Sequence, residues 1–217
     1  MTVIIAIKED NKIYLGSDRM ISSESTKTTS NTPKFFKKEF QTFTPVKVVD
    51  KDGHVDITKN DFEKQYLIFA GAGSDAIINY IRYAFRFPDK RSTDQFETYL
   101  LIDLLPALRE ELQNVGLVKS TNGKLDTEAN FLIIYDGEIY PVFRELGYSP
   151  RTEDYCVIGI ADEIALGSLY TTQGEKPKDR IRKSIEACAY NSLYVDDNYD
   201  IVTINNTDYL NQKSKKD

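Results

Sequence analysis

The segment NFLIIYDGEIYPVF, residues 130–143, limits what this chain can fold into more than any other. Two apolar-rich runs meet across Asp136-Gly137, a pair suited to the two-residue turns that join antiparallel strands. An isolated hairpin is barely stable, so it needs further strands and a packed face. The N-terminus supplies a second hairpin, with Val3–Ile7 and the run from Lys12 to Gly16 flanking a polar KEDN turn.

Between these hairpins the pattern changes. Residues 22–33 (SSESTKTTSNTP) carry no hydrophobic period and read as an exposed loop or irregular strand. Residues 34–38 and 43–50 read as short strands, and Asp52-Gly53 marks a turn. YLIFAGAGSDA (66–76) is a buried strand running into small residues and a helix start. The helix that follows places Ile77, Ile81, Ala84 and Phe85 on one face, and Pro88 helps to end it. A second helical stretch spans 92–113, with Ser92 or Thr93 as N-cap and a kink or break at Pro106. Asn122-Gly123 marks another turn. After the Asp-Gly hairpin come a strand at 155–160, a short helix at 162–170, and a longer helix opening near Pro177 with Ile181, Ile185 and Cys188 on one face. A strand at 199–204 precedes a polar tail. This order predicts an α+β protein: a four-layer αββα sandwich of two antiparallel sheets with helices outside, in one domain over 1–217.

A formal net charge of −6 argues against a nucleic-acid groove and against an anionic membrane surface. No apolar run approaches the roughly 18 residues of a membrane span. The N-terminus shows no cationic region followed by a long apolar one, so no secretory leader and a cytoplasmic location are expected. Two cysteines, Cys156 and Cys188, give neither a disulfide framework nor metal-ligand spacing. With a single histidine, His54, no multi-histidine metal site can form, and no cofactor is expected.

The chemistry-bearing candidate is Thr2, at the edge of the first strand. A small second residue permits removal of the initiator Met1, leaving a threonine hydroxyl beside its own free α-amine. An α-amine titrates near ~7.7–8.0 and can serve as a built-in base at neutral pH. Asp18 follows the second strand, which hairpin pairing brings back towards the start of the first. A lysine ammonium near the hydroxyl would stabilise developing alkoxide, and a carboxylate would orient that lysine.

TVIIAIKEDNKIYLGSDRMIS resembles the start of proteasome β-type and HslV-type peptidase subunits, the N-terminal-nucleophile hydrolases with a threonine nucleophile. Their spacing falls on Thr2, Asp18 and Lys34 without a gap; Lys47 in PVKVVD is the alternative lysine, less favoured on spacing. LIFAGAGSDA is similar to the family's strand, small-residue turn and helix, and places its oxyanion-hole amide on Gly71. VIGIADEIALGSLY and the closing helix and strand extend the resemblance over most of the chain. Relative to the family, residues 39–65 are an insertion, and Ile160 stands where the proteasome branch has a serine.

The resemblance implies a threonine peptidase acting through an acyl-enzyme on Thr2, with Asp18, Lys34 and Gly71 assisting. Phe69 and Gly73, flanking the glycine turn, are the substrate-side candidates. Peptide or unfolded protein is the implied substrate, a homo-oligomeric ring the implied assembly, and an unfoldase ATPase falls within the implied partners. The alternatives are a catalytically inactive structural or assembly subunit and a small-molecule amide hydrolase of the same fold. Elsewhere, AGAGSDA lacks a phosphate-loop lysine, and Asp196-Asp197 reads as a solvated loop rather than a cation site. Cys156 and Cys188 read as core, and His54 as exposed.

Overall fold

Both two-residue turns adopt the left-handed backbone their residues favour. Asp10 and Asn11 have φ of 51° and 59°, and Asp136 and Gly137 have 48° and 75°. The first joins β1 (Val3–Glu9) to β2 (Lys12–Asp18), and the second joins β10 (Ala129–Tyr135) to β11 (Glu138–Val142). The computed structural model describes residues 2–22, 26–52, 54–118, 120–121, 124–150 and 152–205. Met1, Gly53, the Asn122-Gly123 pair and the tail 206–217 lie outside the described residues, as does 23–25 within the expected 22–33 loop.

Among the described residues there are two principal sheets. One has the order β12-β1-β2-β13, where β12 is Tyr155–Gly159 and β13 is Tyr199–Asn205. The other has the order β11-β10-β6-β5-β7, with β5 at Phe35–Val49, β6 at Val55–Gly73 and β7 at Lys90–Arg91. The expectation of purely antiparallel sheets is corrected at one edge, since β5 and β7 pair in parallel through Thr42–Lys90 and Phe43–Arg91. A short pair, β3 (Met20–Ser22) with β4 (Lys27–Thr29), occupies part of the expected loop. Another, β8 (Ser120–Thr121) with β9 (Lys124–Leu125), flanks Asn122-Gly123.

The nearly unbroken apolar run of β1 is explained by burial on both faces. Val3, Ile5 and Ile7 join a cluster with Ala165, Leu169, Ile181, Ile185 and Cys188 of α4 (Asp162–Thr171) and α5 (Pro177–Asn191). Ile4 and Ala6, pointing the other way, pack with Ile13 and Leu15 against Ala70, Ala72, Leu132 and Ile134 of the second sheet. A third cluster joins that sheet to α1 (Asp75–Tyr83), α2 (Phe96–Tyr99) and α3 (Leu105–Asn114). Each fully buried Ile or Leu contributes about 1.5–3 kcal/mol, so a central strand burying both faces anchors the N-terminus firmly.

Several local expectations shift. Ala84 is an exposed C-cap, whereas Ile77, Ile78 and Ile81 form the buried face of α1. Neither Ser92 nor Thr93 caps a helix: Ser92 donates its amide to Phe43 O at 2.8 Å as β7 ends, and helix begins only at Phe96. Leu100–Leu104 forms a π-helical turn, with Leu105 N–H reaching back to Leu100 O, directly before Pro106. Proline has no amide to donate, which is where a wider turn relieves the ladder.

The largest revision concerns the insertion. Residues 34–50 are not two short strands but one, β5, paired with β6 in a long two-stranded ribbon. A bulge between Thr42 and Thr44, with Asp61 at φ 53°, separates the part inside the second sheet from an outer part. On that outer part Val48, Val49, Val55 and Ile57 are exposed.

Candidate active site

Strand ends position the site. β2 runs antiparallel to β1, Ile4 opposite Ser17, so Asp18 at the end of β2 arrives beside Thr2. Lys34 immediately precedes β5 and reaches in from the other sheet. Thr2 and Asp18 are buried, at 3% and 0% exposure.

The Thr2 hydroxyl donates to Asp18 Oδ1 and accepts from Lys34 Nζ. Lys34 Nζ also donates to Asp18 Oδ1 at 3.0 Å and to Met20 O at 2.6 Å. Asp18 is held from below by backbone: Val3 N–H donates to Oδ1 at 3.0 Å and Met20 N–H to Oδ2 at 3.1 Å. Burial pulls the Lys34 ammonium below the ordinary lysine pKa, while Asp18 opposes that shift. Hydrogen-bonded to the Thr2 hydroxyl, the ammonium places positive charge where an oxygen nucleophile would develop negative charge.

Thr2 is further fixed by its carbonyl, which accepts the Ile160 N–H at 2.9 Å. Gly159 makes this approach feasible: it has φ of 120°, and a Cβ there would lie 2.0 Å from Thr2 O. Lys47, the alternative lysine, pairs opposite Ile57 on the outer ribbon, about 40 Å of strand beyond Lys34.

A cavity of ≈ 100 Å³ opens beside this cluster, lined by Thr2, Lys34, Gly71 and Gly73 among others. Phe69 does not line it. The Phe69 ring is 1% exposed, in the core against Phe36, Phe87 and Phe131, because alternation along β6 turns its side chain to the helices. Gly71 is present but engaged: its N–H donates to Lys34 O at 3.1 Å.

Sequence reasoning missed Asp196. Its Oδ1 is buried with no hydrogen-bond partner among the described residues. Its pKa is raised, first by burial and then by the charge of Asp18, and its own charge acts on Lys34. A carboxylate reading as solvated loop thus lies within electrostatic reach of Asp18 and Lys34; two adjacent acids before the last strand are its only signal in the sequence. Gly159, a glycine ending a buried strand, was visible but not linked to Thr2. Cys156 and Cys188 are buried, and burial pushes the Cys188 thiol up to about 12, far from a reactive thiolate. His54 is exposed on the ribbon beside Asp50. Among the described residues no cluster of metal-ligating side chains occurs, and no helix is long and apolar enough to cross a membrane.

No family model matches the sequence, and no curated protein matches it. The fold, however, is shared. The chain superposes on Thiobacillus denitrificans BPH in complex with epoxomicin at a TM-score of 0.65 and 13% identity, covering 94% of this chain and 98% of that one. Eukaryotic HslV from Trypanosoma brucei gives 0.56 at 13% identity, covering 94% and 99%. Anbu from Pseudomonas aeruginosa, described as a helical assembly, gives 0.56 at 14%, covering 94% and 81%. The chain has an HslV- and proteasome-like α+β fold.

Proposed function

We propose that this chain is a threonine-type N-terminal-nucleophile peptidase with αββα layering, acting on peptide or unfolded protein once Met1 is removed. The observation that carries the reading is the convergence of Thr2, Asp18 and Lys34 on one buried hydroxyl from three separate strand ends. Thr2 Oγ attacks the peptide carbonyl carbon while its proton passes to the Thr2 α-amine. The C–N bond then breaks, the leaving amine takes that proton, and an ester remains on Thr2. Water, activated by the same amine, hydrolyses the ester. Lys34 stabilises the developing alkoxide, with Asp18 holding its position. Asp196, with a buried unpartnered carboxylate oxygen and a charge that acts on Lys34, is suited to hold the freed α-amine. Assembly with copies of itself belongs to the same reading.

A second reading, a catalytically silent subunit, is favoured by the Gly71 amide. An oxyanion would have to draw that N–H away from Lys34 O. Both readings meet one experiment. Intact mass of the purified protein reports Met1 removal, and incubation of the processed protein with epoxomicin reports an adduct. The peptidase reading expects an adduct on Thr2 that is lost in Thr2→Ala and Lys34→Met and retained in Lys47→Ala. Processed protein that forms no adduct and cleaves no peptide overturns it in favour of the silent subunit.

A further inference from the structure

One wall of the cavity beside Thr2 is a face of α1. Asp75, Ile78, Asn79 and Arg82 line it, at the i, i+3, i+4, i+7 spacing that puts residues on one side of a helix. The charges at its two ends are not equivalent. Asp75 acts electrostatically on Lys34 and so lies towards the catalytic cluster. Arg82 stands two turns further on, about 10 Å along the axis.

The Arg82 guanidinium is held but incompletely used. One terminal N–H₂ donates to Pro33 O at 2.6 Å, and the guanidinium carbon lies over the Phe36 ring, 4.6 Å from its centroid. Its Nε is buried without a hydrogen-bond partner among the described residues, and no carboxylate there pairs with the group. A buried guanidinium N–H is a strong donor and is costly to leave unmatched. The Phe36 contact and the Pro33 bond hold the guanidinium at the cavity wall, so an incoming anion meets a cation already positioned.

From this we infer that the cavity recognises an acidic side chain, glutamate or aspartate, on the residue whose carbonyl Thr2 would attack. Arg82 is the specificity-determining residue. A basic side chain would meet the cations of Arg82 and Lys34. An apolar one would desolvate the exposed part of the Arg82 guanidinium without pairing its charge. An acidic one supplies the counter-charge that no described carboxylate gives Arg82, with Asp75 at the far end of the helix face. The inference rests on the cavity serving the Thr2 site proposed above, so binding and hydrolysis are tested separately.

The binding arm uses the Thr2→Ala protein, which cannot turn over, with N-acetyl tripeptide amides carrying Glu, Gln, Leu or Lys at the last position. The glutamate amide is expected to bind roughly ten- to a hundredfold more tightly than its glutamine isostere. Adding Arg82→Gln should bring that ratio close to one, and Arg82→Lys should restore part of it. Equal binding of Glu and Gln amides overturns the inference, as does failure of all four to bind. So does Arg82→Gln weakening Glu and Gln amides by the same factor, the result expected if Arg82 only braces Pro33. The hydrolysis arm compares coumarin substrates with the same residues on processed Thr2 protein. Glutamate preference in binding without hydrolysis overturns the peptidase reading alone, and hydrolysis indifferent to the side chain overturns this inference alone.

Discussion

Asp18→Asn is nearly isosteric, yet it should be among the most damaging single changes in the chain. The carboxylate is fully buried and accepts from the Thr2 hydroxyl, Val3 N–H, Lys34 Nζ and Met20 N–H. An asparagine amide has only one acceptor oxygen. Whichever way it faces, its NH₂ confronts either the Met20 amide or the donors at Oδ1. It also leaves the Lys34 ammonium, whose side chain is 12% exposed, without its counter-charge. Breaking a buried pair from one side costs about 3–5 kcal/mol, a large share of a typical stability.

The penalty carries a pH signature. Removing the Asp18 charge takes away the largest influence opposing the downward shift of Lys34, leaving only Asp75 and Asp196, so the folded-state pKa falls further while the unfolded value stays put. Above that folded pKa the unfolded chain binds more protons, and stability of the variant rises with pH relative to wild type. Urea unfolding followed by circular dichroism should show a smaller penalty near about pH 9 than near about pH 6. In a cycle with Lys34→Met, which removes the stranded cation, the double variant should recover about 2 kcal/mol or more relative to the summed singles. A penalty under about 0.5 kcal/mol, or one that does not shrink as pH rises, would refute the arrangement.

Gly159→Ala should lower stability by about 1–3 kcal/mol from backbone strain alone, since φ is 120° there and the new Cβ meets the Thr2 carbonyl; thermal unfolding measures it. Because Thr2 itself must shift, epoxomicin labelling should fall more than stability does. Lys34, Lys38 and Lys90 all have pKa values lowered chiefly by burial. Each therefore makes the folded protein gain stability as pH rises from its lowered value towards about 10.5. Replacing Lys38 with Met should flatten the rise in urea midpoint between about pH 8 and 10, and an unchanged slope counts against its burial.

What could be read from the residues was governed by how one-sided each environment is. The Asp-Gly hairpin and the doubly buried β1 carry strong, unambiguous patterns. The 2, 18, 34 spacing needed only one hairpin and one crossover between sheets to become proximity. The ribbon escaped because its outer strands are solvated on both faces, so Val46 and Val48 on one side and Val49 and Ile57 on the other leave no single apolar stripe. Pro45 also interrupts the pattern there, though an edge strand accommodates it. Phe69 and Gly71 are harder to read for another reason: which face a strand residue buries, and which neighbour its amide meets, depend on pairing that a local pattern does not contain. Asp196 is a polar residue in a polar stretch, and only the end of β2 next to it gives it a role.

β6 is one continuous strand from Val55 at the ribbon's far end to Gly73 at the cavity wall. The molecule thus has a built-in handle whose other end is the wall of its own pocket. A tether or reporter attached at the ribbon's turn would hold the protein by that strand while standing roughly 50 Å of extended chain from Lys34. The bulge at Asp61 is then the natural pivot, absorbing a pull on the handle before it reaches the glycines.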